Sequence, residues 1–496
     1  MHARPLHPDP TVAPLPQEWG QQTNGAPAPA GAAESTQVLG MAAPQITVDY
    51  RVAREIASQV AKQREELLKT KPDMDRASEE QRCLNWIAEA VALWSDAQAM
   101  TPQEDEALRR AVYDLLFRAG RLQPYLDDER VEDIIIQGPH EVWLDYGDGE
   151  RRRVGPIADS EEELLELLRE LARGGSGHSE RTISTANPTL ALSLQDGSRL
   201  QAITGLGPMT YAVIRRHRVS HADLDDMVRL GTIDPILREF LGACVRAEKN
   251  IMIAGKQKAG KTTLLRAMLK EFDPECRFAT IQTEDELFAH ANGYHRQVVS
   301  LVGRESNGEK DVTGRGAGEI TLLDLMHPAL RMSLERIVVG EVRGPEVVAM
   351  MQALTNGSGG NLCTIHARRP DIIFDRIAEL YALAQENLSE QLAYRQTANG
   401  LDFIVYVDMT DETQIGGRRH RYVSHVLELT GIGEMGRPAT NEIFSPGREW
   451  GDLRAVPRMD PGCVDDLRRV GFDSGLLQEA YGAWPAPLPL KVGAGR

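Results

Sequence analysis

The eight residues Gly255-Lys256-Gln257-Lys258-Ala259-Gly260-Lys261-Thr262 complete the pattern GxxxxGK[ST], and they constrain the fold more than any other stretch. The apolar run Ile251-Met252-Ile253-Ala254 before them reads as a buried strand. The run Thr263-Leu264-Leu265-Arg266-Ala267-Met268-Leu269 after them reads as a helix. A strand, a glycine-rich turn and a helix start make a phosphate cradle, because the glycines let backbone N–H groups close on the anion and the helix dipole favours it. Lys261 then reaches the β- and γ-phosphates and the Thr262 hydroxyl ligates Mg²⁺. Binding of ATP or a similar nucleoside triphosphate, with Thr263 in the first turn of the helix, is the expectation.

Two later strand ends add to it. Ile337-Val338-Val339 runs into Gly340-Glu341-Val342-Arg343-Gly344, and in a parallel sheet such residues project into the ligand crevice. Glu341 is a candidate to polarise the attacking water or to hold the water shell of Mg²⁺, and Arg343 to neutralise charge on the γ-phosphoryl group. A plain ion pair between them is the simpler alternative. His366, at the end of Leu362-Cys363-Thr364-Ile365 and after the glycine-rich run 356–360, is a candidate γ-phosphate sensor.

The rest of the chain divides by texture. Residues 1–46 are rich in Pro, Ala, Gly and Gln and predict a disordered tail. Residues 47–125 predict a helical extension, with Ala53, Ile56, Ala57, Val60 and Ala61 on one face and Cys83, Trp86, Ile87, Ala90, Val91 and Trp94 on another. This extension is either a docking module for a membrane partner or a bundle packed on the next domain. An α+β domain follows over 126–219, then a polar linker over 220–228. Alternating strands and helices over 229–432 predict a parallel α/β sheet, opened by Asp234-Pro235 as a helix start and closed by a hairpin at Gly416-Gly417. An irregular tail with one short helix is expected over 433–496.

Composition narrows the partners. The formal charge of −17 and 5% aromatic content oppose extended nucleic-acid binding. Five scattered cysteines contain no CxxC pair, which suits neither a zinc site nor a disulfide framework. No run approaches the roughly 20 apolar residues of a membrane-spanning helix, and the proline-interrupted start has no signal-peptide core. A cytoplasmic protein, peripheral to a membrane if it works at one, is the expectation.

The motifs together resemble one family. Gly318 to Gly344 resembles the second acidic block of the type II/IV secretion ATPases. Gly360 to Ala367 resembles their histidine box, and Thr280-Ile281 to Glu286-Leu287 their aspartate box. Val131 to Gly138 and Asp196-Gly197-Ser198-Arg199 are similar to motifs of their N-terminal domain. The resemblance spans about Val131 to Phe444 and is nearest to the tight-adherence (Flp-type) pilus branch.

It implies a RecA-like P-loop ATPase core with a separate α+β N-terminal domain. It also implies a homohexamer driving an inner-membrane platform protein at the inner face of the cell membrane. By matching position, Glu341 and Glu286 would be catalytic acids, Arg199 and Arg215 N-domain arginines reaching the nucleotide, and Arg331 a coupling residue. The chain departs from the family in three places. Gln282 stands where a Glu is usual, Leu334-Glu335 where Pro-Asp is usual, and the segment 303–317 is long. Three readings stay open: a pilus or secretion motor, an ATP-binding scaffold with weak hydrolysis, and a nucleic-acid translocase.

Overall fold

The computed structural model describes residues 48–174, 183–194, 196–216, 222–304, 318–355, 359–384, 388–447 and 452–492. The expected tail over 1–46, the run 356–358 and residues 305–317 lie outside the described residues.

Three helices come first: α1 (Tyr50–Thr70), α2 (Arg76–Gln98) and α3 (Pro102–Phe117). Each starts on a side chain that accepts a backbone N–H, namely Asp49, Asp75 and Thr101, the last in a reciprocal box with Glu104. Such a cap contributes about 1 kcal/mol. Ala53, Ile56, Ala57 and Val60 pack with Cys83, Ile87 and Val91 and with Leu108, Ala111 and Val112. Ala61, expected on the same face, is exposed; at ~100° per residue it has rotated about 80° from Ala53. The bundle packs on the next domain: Arg54 pairs with Asp159 and with Glu163 (2.9 Å). A short helix, α4 (Gln123–Asp127), leads on.

The next domain comprises β1 (Asp133–Gln137), β2 (Glu141–Asp145), β3 (Arg151–Val154), α5 (Glu161–Gly174), β4 (Thr189–Ser193), β5 (Arg199–Ile203) and β6 (Tyr211–Arg215). Among the described residues the strands form one antiparallel sheet, ordered β3-β2-β1-β6-β5-β4. Strand alternation puts Ile134, Ile136, Leu200 and Ile214 on the face that meets Leu164 and Leu168 of α5.

The linker expected over 220–228 is, where described, mostly helix. Asp223 and Asp226 cap α6 (Leu224–Arg229) reciprocally. Leu224 and Met227 are 1% exposed and belong to the core of the following domain. Its polar residues are the cap and the wet face, and two core residues three apart carry the helix.

The large domain contains α7 (Pro235–Arg246), β7 (Ile251–Gly255), α8 (Lys261–Leu269), β8 (Arg277–Gln282), β9 (Gln297–Val302), α9 (Leu322–Ala329), β10 (Arg336–Val342), α10 (Glu346–Thr355), β11 (Leu362–His366), α11 (Ile373–Ala384), α12 (Glu390–Gly400), β12 (Phe403–Asp411) and β13 (Arg419–Ile432). The strands β12-β7-β11-β10-β8-β9 are parallel in that order. The strand β7 is buried on both faces, Ile251 and Ile253 in one core and Met252 and Ala254 in the other, as a central parallel strand requires. This is a RecA-like α/β core.

The region expected to be irregular beyond 432 holds two strands beside the expected short helix. The strands β14 (Pro438–Pro446) and β15 (Ala455–Pro457) extend the same nine-stranded sheet, β14 antiparallel to β13 and β15 antiparallel to β14, and α13 (Val464–Arg469) follows. Pro438, Pro446 and Pro457 hid these strands, and each sits at a strand end, where a missing N–H costs no ladder bond. The chain then doubles back. Ala483 N donates to Asp234 (2.7 Å), Trp484 Nε1 to Ala455 O (2.9 Å), and Lys491 N and Val492 N to Glu412 (2.8 and 3.0 Å). Among the described residues no helix is long and apolar enough to cross a membrane.

Candidate active site

The phosphate loop leaves β7 at Gly255, where a Cβ would lie 2.1 Å from Val407 O, so only glycine fits. It ends at Gly260, which caps α8 with φ +96° and offers no side chain, leaving the first helical N–H groups for an anion. Lys261 is 6% exposed. Its ammonium donates to Lys256 O (3.0 Å) and lies 2.9 Å from His366 Nδ1. Burial lowers its pKa to about 8, against the pull of the Glu341 carboxylate.

Strand order explains the meeting. The strands β7, β11 and β10 are neighbours, and His366 is in register with Gly255. Their carboxyl ends therefore set Lys261, His366 and Glu341 side by side. Because an ammonium can only donate, His366 Nδ1 accepts and Nε2 carries the proton. That Nε2 lies 2.8 Å from Glu341 Oε1, close but out of line for a well-formed hydrogen bond. The other oxygen of Glu341 accepts from Arg343. Burial works against the Glu341 carboxylate, yet His366 and Arg343 outweigh it and hold the pKa down to about 2.

A cleft of about 300 Å³ opens here, at the small end of ligand-site sizes. Gln257, Lys258, Ala259, Gly260, Lys261, Thr262 and Thr263 line one wall, and Glu286, Glu341, Arg343 and His366 the next. Arg199 and Arg215 face them from the antiparallel domain. Arg199 pairs with Glu284 at 2.7 Å, so Glu284 holds the domains together and does not line the cleft.

Gln282 is 2% exposed and does not line the cleft. Its carbonyl accepts from Glu286 N (2.9 Å) and Leu287 N (2.8 Å), and its amide donates to Asp285 (3.2 Å). The amide shapes the loop that presents Glu286.

Three expected contacts differ. Gly255 and Lys256 do not line the cleft; Lys256 turns to Asp408 (2.6 Å) and gives Lys261 only its carbonyl. Arg331 is not brought to it either, being exposed and ahead of Arg336, the first residue of β10. Sequence reasoning missed Glu132, Arg216, Arg266 and Arg421, which also line the cleft. Arg266 donates to Glu286 O (2.6 Å), and burial lowers it to about 10. Only Arg266 carried a signal, one turn along the helix that follows the phosphate loop.

A putative conjugal transfer protein of Mycobacterium tuberculosis (strain CDC 1551 / Oshkosh) is 32% identical over 306 residues, which cover 58% of this chain and 80% of that relative. The chain belongs to the type II/IV secretion system protein family. The family model matches residues 198–397, from just before β5 into the last turn of α12. The type IV secretion system protein VirB11 of Brucella suis is 26% identical over 349 residues, 65% of this chain and 92% of the relative. The crystal structure of the VirB11 ATPase from Brucella suis aligns with 65% of this chain and 96% of that one at 24% identity, with a TM-score of 0.32, too loose to add to the fold. This secretion-family member is an ATPase.

Proposed function

We propose that this ATPase is the motor of a pilus-assembly or protein-secretion machine, working as a homohexamer on an inner-membrane platform protein from the inner face of the cell membrane. The observation that carries the catalytic half is the array Lys261–His366–Glu341–Arg343 at the strand ends, faced by Arg199 and Arg215 across a domain boundary. Lys261 and the loop amides hold the β- and γ-phosphates. Glu341 orients the attacking water, with Glu286 beside it, and Arg343 and His366 meet the charge that develops on the γ-phosphoryl oxygens. Leu230, exposed and lining the same cleft, offers apolar surface to a base. Since the nucleotide lies between domains, loss of its terminal phosphate changes what Arg199 and Arg215 grip. That change is the power stroke in this reading.

The donor set fits Mg²⁺. A hard cation takes hydroxyl and carboxylate oxygens; Thr262 lines the cleft, and Glu341 Oε1 is buried without a well-aligned donor. Bound there, the ion would neutralise phosphate charge. The tight-adherence branch remains the branch proposed.

The test is Mg²⁺-dependent phosphate release by the full chain. Lys261→Ala should abolish it, and equal activity in that variant overturns the assignment. Mass measurement with ATP should give a hexamer.

A further inference from the structure

Lys258 sits at the tip of the phosphate loop with φ +61°, a left-handed conformation that non-glycine residues rarely adopt. Something must hold it there. Its Nζ lies 2.5 Å from Asp133 Oδ2, a buried carboxylate at the first position of β1 in the other domain. Its carbonyl accepts from Arg421 Nε at 3.0 Å, and Nη2 of the same arginine reaches both oxygens of Glu132, at 3.1 and 3.3 Å. Two consecutive carboxylates of one domain therefore grip one residue of the other, by side chain and by backbone. Lys258 and Ala259 form the turn that launches Gly260 and the first helical amides.

We propose that Lys258 is a positioning residue, whose cross-domain grip by Asp133 and by Glu132 through Arg421 sets the phosphate loop and couples the pose of the antiparallel domain to nucleotide retention. This rests on the nucleotide site proposed above. A rotation that withdraws Glu132 and Asp133 releases the tip of the loop. The loop relaxes from its left-handed turn, and the cradle for the phosphates loosens. Lys258 acts through the loop's shape rather than through its own charge on the ligand.

The experiment follows release of N-methylanthraniloyl-ADP with magnesium from the full-length chain by stopped flow. Lys258→Gly is suited to it, because glycine takes φ > 0 without strain, and a thermal melt of each variant shows that the chain is still folded at the temperature of the measurement. Lys258→Gly and Asp133→Asn should each release the nucleotide about five- to tenfold faster, and the double variant no faster than either, as coupled neighbours do. Lys258→Arg, which keeps the cation, should stay near the wild-type rate and separate the ion pair from loop strain. Unchanged release in both single variants, or effects that multiply in the double, overturns this inference alone. A wild-type chain that holds no nucleotide overturns the site assignment with it.

Discussion

The ammonium of Lys261 lies 2.9 Å from Nδ1 of His366, whose other nitrogen lies 2.8 Å from Glu341. One imidazole thus links the phosphate-binding cation to the proposed water-orienting acid. Removing it should separate binding from turnover. His366→Ala is expected to slow phosphate release about 10²-fold, the scale of one positioned acid–base group, while ADP affinity changes little. Paired turnover and fluorescent-ADP titrations check this; a parallel loss of both would make His366 a binding group instead.

Gln282→Glu tests whether the departure from the family's usual Glu limits catalysis. The carboxylate can still accept from Glu286 N and Leu287 N, but it loses the donation to Asp285 and sets a like charge beside it. The variant should lose about 1–2 kcal/mol of stability and gain no turnover. Thermal melts beside phosphate release read both, and a faster Gln282→Glu enzyme would return Gln282 to the chemistry.

The contrast between Gln282 and Glu341 shows what the sequence can reveal. The Glu341 side chain follows from strand order, because a parallel sheet sends its carboxyl ends to one edge, and the same logic brings in Lys261 and His366. The direction of Gln282 depends on which loop amides need an acceptor, and no local pattern records that. Glu132 and Arg421 were invisible for a related reason: they meet only once two domains dock, 289 residues apart. Strands β14 and β15 were masked by their prolines. Arg331, matched by position as a coupling residue, lies in the turn between α9 and β10 and does not line the cleft.

Asp234 is fully buried and serves two backbones, accepting from Leu237 N (2.8 Å) at the start of α7 and from Ala483 N (2.7 Å) of the returning chain. Asp234→Ala leaves both donors unmet. The expected loss is about 2 kcal/mol, combining a cap and a buried donor. Amide exchange should quicken at Leu237 and at Ala483 together, and protection at Ala483 equal to wild type would show the returning chain is held by other contacts.

His295 supplies the pH dependence. Its ring is 7% exposed and packs edge-on against Phe278 and Tyr294, with centroids 4.9 and 4.8 Å apart. Neither ring nitrogen makes a well-aligned hydrogen bond. Burial lowers its pKa to about 4 from an ordinary 6.5. The folded state therefore binds this proton less readily than the unfolded one, so unfolding takes up a proton between those two values. The stabilising contribution is complete above pH 6.5 and is lost as pH falls toward 4, at up to about 1.4 kcal/mol per pH unit. His295→Phe keeps an aromatic ring and removes the proton site. Its melting temperature should fall less than that of wild type between pH 6.5 and 4, with the two curves separating steadily. Parallel curves across that interval would mean the imidazole is already charged, or already hydrated, in the folded chain.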